Sequence, residues 1–214
     1  MADQVVAITQ RVDVVSPTGE RRDTLDQRWA PFLELLGYTI APVPNCLEHP
    51  AVWFQAQKCT GLIISGGNDL SHLIGSNQAV LERDQTEIAL FTECQRRKLP
   101  VIGVCRGMQM INHIFGGTQR RCENHAGTRH ALHFADGIDK VWKRQSVNSY
   151  HDWGIPAEGL AGDLTPLCYS EDGLVEAFVA SDMLVSAIMW HPERESSFNE
   201  LDIQLFRMVL GSSD

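Results

Sequence analysis

The chain has 214 residues, with 18 Lys and Arg against 27 Asp and Glu, and a formal charge of −9 with histidine neutral. Its 43% hydrophobic and 21% charged residues supply one core, which excludes wholesale disorder and fits a single domain over 1–214. The acidity argues against a general nucleic-acid or anionic-membrane partner, and no apolar run approaches the about 20 residues that cross a bilayer.

In chain order, Gln4–Thr9 reads as a strand too short and too soon interrupted by Arg11 and Asp13 to be a secretory signal. Residues 23–36 place Leu25, Trp29, Phe32, Leu33 and Leu36 on one helical face, with Gly37 as stop. Tyr38–Val43 and 61–65 are strands, and the second runs into Gly66-Gly67-Asn68-Asp69. A helix is expected over 83–98, a strand over 99–104 and a helix over 106–115, which Gly116-Gly117 ends. The second half reads as β-rich, with strands at 130–134, 145–148, 164–170, 174–179 and 184–190, before a final amphipathic helix at 198–210. Apolar strands alternating with helices predict an α/β fold, its sheet mostly parallel and covered on both faces. Ligands of such folds sit at the carboxyl ends of the strands, here Ser65-Gly66-Gly67, Cys105 and Trp190-His191.

Six cysteines lie far apart without an export signal, so a reducing cytoplasm is expected and most are read as packing. One stands out. Gly103-Val104-Cys105-Arg106-Gly107 joins a strand to a helix, the glycine-nucleophile-glycine pattern of a nucleophile elbow. The turn exposes the thiol at a helix N-terminus, where the dipole and free N–H groups lower its pKa. A thiol nucleophile needs a base, and the base needs an orienting partner. His191-Pro192-Glu193, just past the last strand, supplies both.

These motifs, with Met108-Gln109, Arg83-Asp84-x-x-Glu87 and Val147-Asn148-Ser149-Tyr150-His151, resemble the class I glutamine amidotransferase-like family, in its stand-alone γ-glutamyl hydrolase branch. The resemblance implies a flavodoxin-like fold with a small antiparallel addition, and a catalytic triad of Cys105, His191 and Glu193. It implies an oxyanion hole from the N–H groups of Gly67 and Arg106, and neither cofactor nor metal. Substrate contacts are expected from Gln109, Asn68, Asn148, Ser149, Tyr150, His151, His130 and Arg11.

Arg11, Arg21, Arg22 and Arg28, with Arg120, Arg121 and Arg129, are candidates for a local anion site. The stretch from Gln10 to Trp29 is similar to a sub-branch of surface-carbohydrate biosynthesis. That likeness implies a nucleotide-linked small-molecule substrate, γ-glutamyl-CDP-amidate, cleaved to glutamate and cytidine diphosphoramidate. A γ-glutamyl-γ-aminobutyrate-type hydrolase, a glutaminase subunit feeding a synthase, and an inactive binding module are the alternatives. A homodimer is compatible with the reading. Cys122-x-x-His125 and His130-x-x-His133 have ligand-like spacing, but a strand over 130–134 puts the last two histidines on opposite faces, so no metal is expected.

Overall fold

The computed structural model describes residues 4–73, 80–137, 145–180 and 184–211. The first half runs β1 (Gln4–Thr9), β2 (Arg11–Val15), β3 (Glu20–Thr24), α1 (Trp29–Leu35), β4 (Tyr38–Val43), α2 (Pro50–Ala56), β5 (Gly61–Ile64), α3 (Leu81–Arg97), β6 (Val101–Val104) and α4 (Arg106–Ile114). The second half holds β7 (Arg120–Arg121), β8 (Thr128–Ala131), β9 (His133–Phe134), β10 (Ser146–Ser149), β11 (Trp153–Pro156), β12 (Leu164–Tyr169), β13 (Leu174–Ala180), β14 (Val185–Ile188) and α5 (Glu200–Leu210).

Among the described residues, β4, β1, β5, β6 and β14 lie side by side and parallel. Counting parallel strands alone, this is the order 2-1-3-4-5 of the flavodoxin-like fold. Beyond β14 the sheet turns antiparallel through β13, which carries β11 and β12. Alternation along β1 explains the layering: Ala7 packs with Phe54, Leu90, Phe91 and Met108 of α2, α3 and α4. Val6 and Ile8 pack instead with Trp29, Phe32, Ile203 and Phe206 of α1 and α5. All four residues of β5, β6 and β14 are buried, as expected of strands covered twice.

The expected helix over 23–36 is half right. Residues 20–24 pair with 11–15 in a hairpin, Arg11 against Thr24 and Val15 against Glu20, and the helix starts only at Trp29. Hairpin pairing of Val12, Val14 and Val15, β-branched residues that favour a strand, overrides the helical spacing of Leu25. The expected strand over 130–134 breaks at Leu132. β8 pairs with β10 in a separate two-stranded ribbon, while β9 pairs with β12. The helix Pro50–Ala56 and the strand Trp153–Pro156 have no counterpart in the sequence reading.

Candidate active site

At the end of β6 the backbone turns through Cys105 at φ +54° into α4. A non-glycine residue there stores about 1–3 kcal/mol of strain, held by its surroundings. Two close approaches hold it. A Cβ on Gly103 would lie 2.7 Å from the Gly107 carbonyl oxygen, and one on Gly107 only 1.8 Å from that of Ile64. The glycines are therefore required by sheet–helix packing on either side of the thiol. The N–H of Cys105 donates to the Ile188 carbonyl at 2.8 Å, binding the elbow to the end of β14.

The same strand end delivers His191. Its N–H donates to Asn148 Oδ1 and its carbonyl accepts from Asn148 Nδ2, both at 2.8 Å. Pro192–Arg194 then form one 3-10 turn that folds Glu193 back, with Oε1 2.7 Å from His191 Nδ1. Arg28 clasps this turn from outside, donating to the carbonyls of Glu193 at 3.1 Å and of Glu195. Gly66 leaves room for the imidazole, since a Cβ there would sit 2.6 Å from His191 Cε1 and 3.5 Å from Cys105 Cβ.

Cys105, His191 and Glu193 are all buried. Burial disfavours the Cys105 thiolate, but the charge and hydrogen bond of His191, aided by His151 and Arg194, outweigh it and pull the thiol below its ordinary value. Burial likewise pushes His191 down, and Cys105 and Glu193 overcome this to raise it to about 9. The two shifts run in opposite directions, thiol down and imidazole up, which favours the thiolate–imidazolium form, a nucleophile beside a proton donor. Other buried thiols go the opposite way: burial pushes Cys59 up to about 11 and Cys94 to about 12. Iodoacetamide at pH 6 is expected to alkylate Cys105 about tenfold faster than the exposed Cys46, by peptide mass spectrometry. Slower labelling of Cys105 would contradict the ion pair.

α3 braces the site from beneath. Arg83, fully buried, donates to the carbonyls of Ser65 at 2.7 Å, Gly66 at 3.0 Å and Gly67, and its Nε to Glu87 at 2.8 Å. The buried Arg106 side chain pairs with Glu87 and Asp84. One network therefore fixes both the glycine loop and the elbow. Burial alone would raise Glu87, but Arg106 and Arg83 hold its carboxyl below the usual carboxylate range.

Gly67, Asn68, Arg106, Gln109, Tyr150, His151 and Arg11 share a polar cavity of about 190 Å³ with Cys105 and His191. Gln109 is oriented by the Trp153 carbonyl at 2.8 Å, and Asn68 by both backbone groups of Val12. Asn148, Ser149 and His130 do not line this cavity. Asn148 braces His191, Ser149 is buried in β10, and His130 faces Glu176 at 3.7 Å. Nor do the arginines build one anion site. Arg21 pairs with Glu82, Arg22 with Glu20, Arg129 with Glu195, and Arg121 lies over the Trp153 ring. Of the seven, Arg11 alone lines the cavity, where it is joined by Arg194, which the sequence reading passed over although it follows Glu193 directly.

The Peptidase C26 family model matches residues 4–193. The chain is 34% identical over 199 residues to the γ-glutamyl-CDP-amidate hydrolase of Campylobacter jejuni, covering 92% of this chain and 94% of that protein. It is 26% identical to the γ-glutamyl-γ-aminobutyrate hydrolase of Escherichia coli O157:H7, covering 88% and 85%. The crystal structure of a glutamine amidotransferase from Thermotoga maritima has the same fold, with a TM-score of 0.66 at 17% identity over 98% of this chain and 85% of that one. The chain belongs to the Peptidase C26 family and has the class I glutamine amidotransferase fold.

Proposed function

We propose that the chain hydrolyses the γ-glutamyl amide bond of a small molecule through a thioester on Cys105. The observation that carries this reading is the buried Cys105–His191–Glu193 array opening onto the polar cavity. Cys105 Sγ attacks the γ-carbonyl carbon and the carbonyl oxygen becomes an oxyanion. The N–H groups of Gly67 and Arg106 receive it, and loss of one such donor costs about 3 kcal/mol of barrier. His191 gives its proton to the leaving nitrogen, the C–N bond breaks, and the γ-glutamyl thioester remains. The neutral imidazole then takes a proton from water, whose oxygen attacks the thioester, releasing glutamate and the thiolate. Gln109, Asn68 and Tyr150 hold the glutamyl α-amino and α-carboxylate groups, the ring of His151 walls the cavity, and Asn148 positions His191.

Within this reading the substrate is γ-glutamyl-CDP-amidate, released as glutamate and cytidine diphosphoramidate. Two features support it: the relative of that activity aligned along nearly the whole chain, and Arg11 and Arg194 beside the cavity, whose present partners Asp13 at 2.8 Å and Asp26 at 3.3 Å a phosphate would displace or share. Glutamate release by the purified chain from γ-glutamyl-CDP-amidate is expected to exceed that from γ-glutamyl-γ-aminobutyrate and from glutamine by about a hundredfold in kcat/KM. Arg11→Ala should raise KM for the nucleotide substrate about tenfold with little change in kcat. Equal kcat/KM for charged and uncharged leaving groups would overturn the substrate assignment.

A further inference from the structure

At His151, on the wall of the cavity, three imidazoles and a carboxylate converge. His125 precedes β8, His130 lies on β8, His151 follows β10, and Glu176 sits in β13. One donor atom from each lies within 4.8 Å of all the others. His125, His151 and Glu176 are buried and His130 is half-buried.

The hydrogen bonding around this group is one-sided. The outward ring nitrogens all have oxygen partners: His125 Nε2 has Asp172 Oδ2 at 3.2 Å, His130 Nδ1 the Ala131 carbonyl at 3.3 Å, and His151 Nδ1 the Trp153 carbonyl at 3.1 Å. The inward atoms have none. His125 Nδ1, His130 Nε2, His151 Nε2 and both Glu176 oxygens are buried without a hydrogen-bond partner. His130 Nε2 and His151 Nε2 each stop 3.7 Å from Glu176 Oε1, beyond hydrogen-bond reach.

This has a direct electrostatic consequence. An oxygen acceptor on one ring nitrogen draws the proton there and leaves a lone pair on the other. Three inward nitrogens and a carboxylate then face one buried point, where the carboxylate charge calls for a positive partner: a proton held on the His151 ring, or a metal ion that displaces it. Tetrahedral zinc ligands at about 2.0–2.1 Å from the metal lie about 3.4 Å apart, so the 3.7 Å separations need a slight contraction and the wider ones, up to 4.8 Å, a side-chain shift of about 1 Å or more. Three imidazoles with one carboxylate suit a borderline-soft divalent ion and not magnesium or calcium, which take all-oxygen shells.

We propose that His125, His130, His151 and Glu176 bind one divalent transition cation of the zinc class. The cation cross-links the β8–β10 ribbon, which among the described residues shares no ladder with the main sheet, to β13 inside that sheet. That ribbon carries Asn148, which positions His191, and leads directly into His151 on the cavity wall. The site is thus a structural staple beneath the cavity. It departs from the metal-free expectation because its ligands come from both spaced motifs and from two distant positions. His133 is exposed on β9, and Cys122 Sγ lies 3.5 Å from the outward nitrogen of His151, so neither belongs to the set.

The test uses the full chain, stripped with a chelator and reloaded with zinc or cobalt. One equivalent of metal should be retained through gel filtration, and cobalt should show the visible bands of tetrahedral nitrogen–oxygen ligation. Zinc should raise Tm by about 5 °C or more. Cys105→Ala and Cys122→Ser should bind cobalt unchanged, which excludes a thiolate site. Glu176→Gln and His130→Ala should each weaken binding at least about a hundredfold. His130 is half-buried, so its variant carries the test if loss of Glu176 unfolds the chain. A folded wild-type chain that gives no cobalt bands would overturn the proposal, as would binding lost in Cys122→Ser or unchanged in both ligand variants.

Discussion

Replacing Cys105 by Ala is expected to lower kcat at least about 10⁴-fold while substrate still binds within a few-fold of the wild-type affinity. The proposed thioester cannot form without the sulfur, whereas the cavity walls formed by Gln109, Tyr150 and Arg11 remain in place. Alanine keeps the Cβ, so the backbone at φ +54° stays strained. Cys105→Gly removes that strain and should be more stable than Cys105→Ala by about 1 kcal/mol, though equally inactive. Single-turnover assays and denaturant melts of the two variants separate the chemical role of the sulfur from the conformational cost of its position. Residual turnover near the wild-type rate would end the covalent mechanism.

The second large effect lies beneath the site. Glu87→Gln is expected to cost about 3–5 kcal/mol, because it leaves the buried guanidinium groups of Arg83 and Arg106 short of one negative charge. For a chain of this size the Tm should fall by about 10 °C. Activity should fall with it, since Arg83 holds the Ser65–Gly67 carbonyls and Arg106 opens α4. The sign with pH follows from Glu87 being held below its ordinary value in the folded chain. Its contribution is fully present above the unfolded carboxylate value of about 4.3 and is lost as pH falls through the depressed folded value. Melts of wild type and variant should therefore converge on acidification, and a constant gap down to about pH 2 would show that the charge of Glu87 is not what stabilises the network.

The centre of the parallel sheet was readable because the apolar runs of β5, β6 and β14 are buried on both faces, which leaves little choice of partner or role. The elbow was readable for a related reason. Gly103 and Gly107 flank the thiol where the main chain passes within contact distance of Ile64, so the sequence itself records the close approach. Residues 23–28 were misread as helix because Asp23 and Thr24 close a hairpin strand paired with Arg11 and Val12, and the local helical spacing near Leu25 competes with that pairing. Arginine counts misled in a similar way. A sequence shows seven guanidinium groups but not the acidic partners that neutralise Arg21, Arg22 and Arg129.

Six cysteines and eight histidines in an acidic chain determined, through spacing alone, which thiol follows a strand and which histidine ends one. Those facts are local, because an elbow and a strand end are each written within a few consecutive residues. Only the tertiary structure decided that Asn148 supports His191 across 43 positions and that Arg28 clasps the Glu193 turn across 165. It also decided that His125, His130, His151 and Glu176 meet at one point. No local pattern encodes such meetings: they depend on the register with which β13 joins β14 and the ribbon folds over it, and packing of the whole sheet sets both.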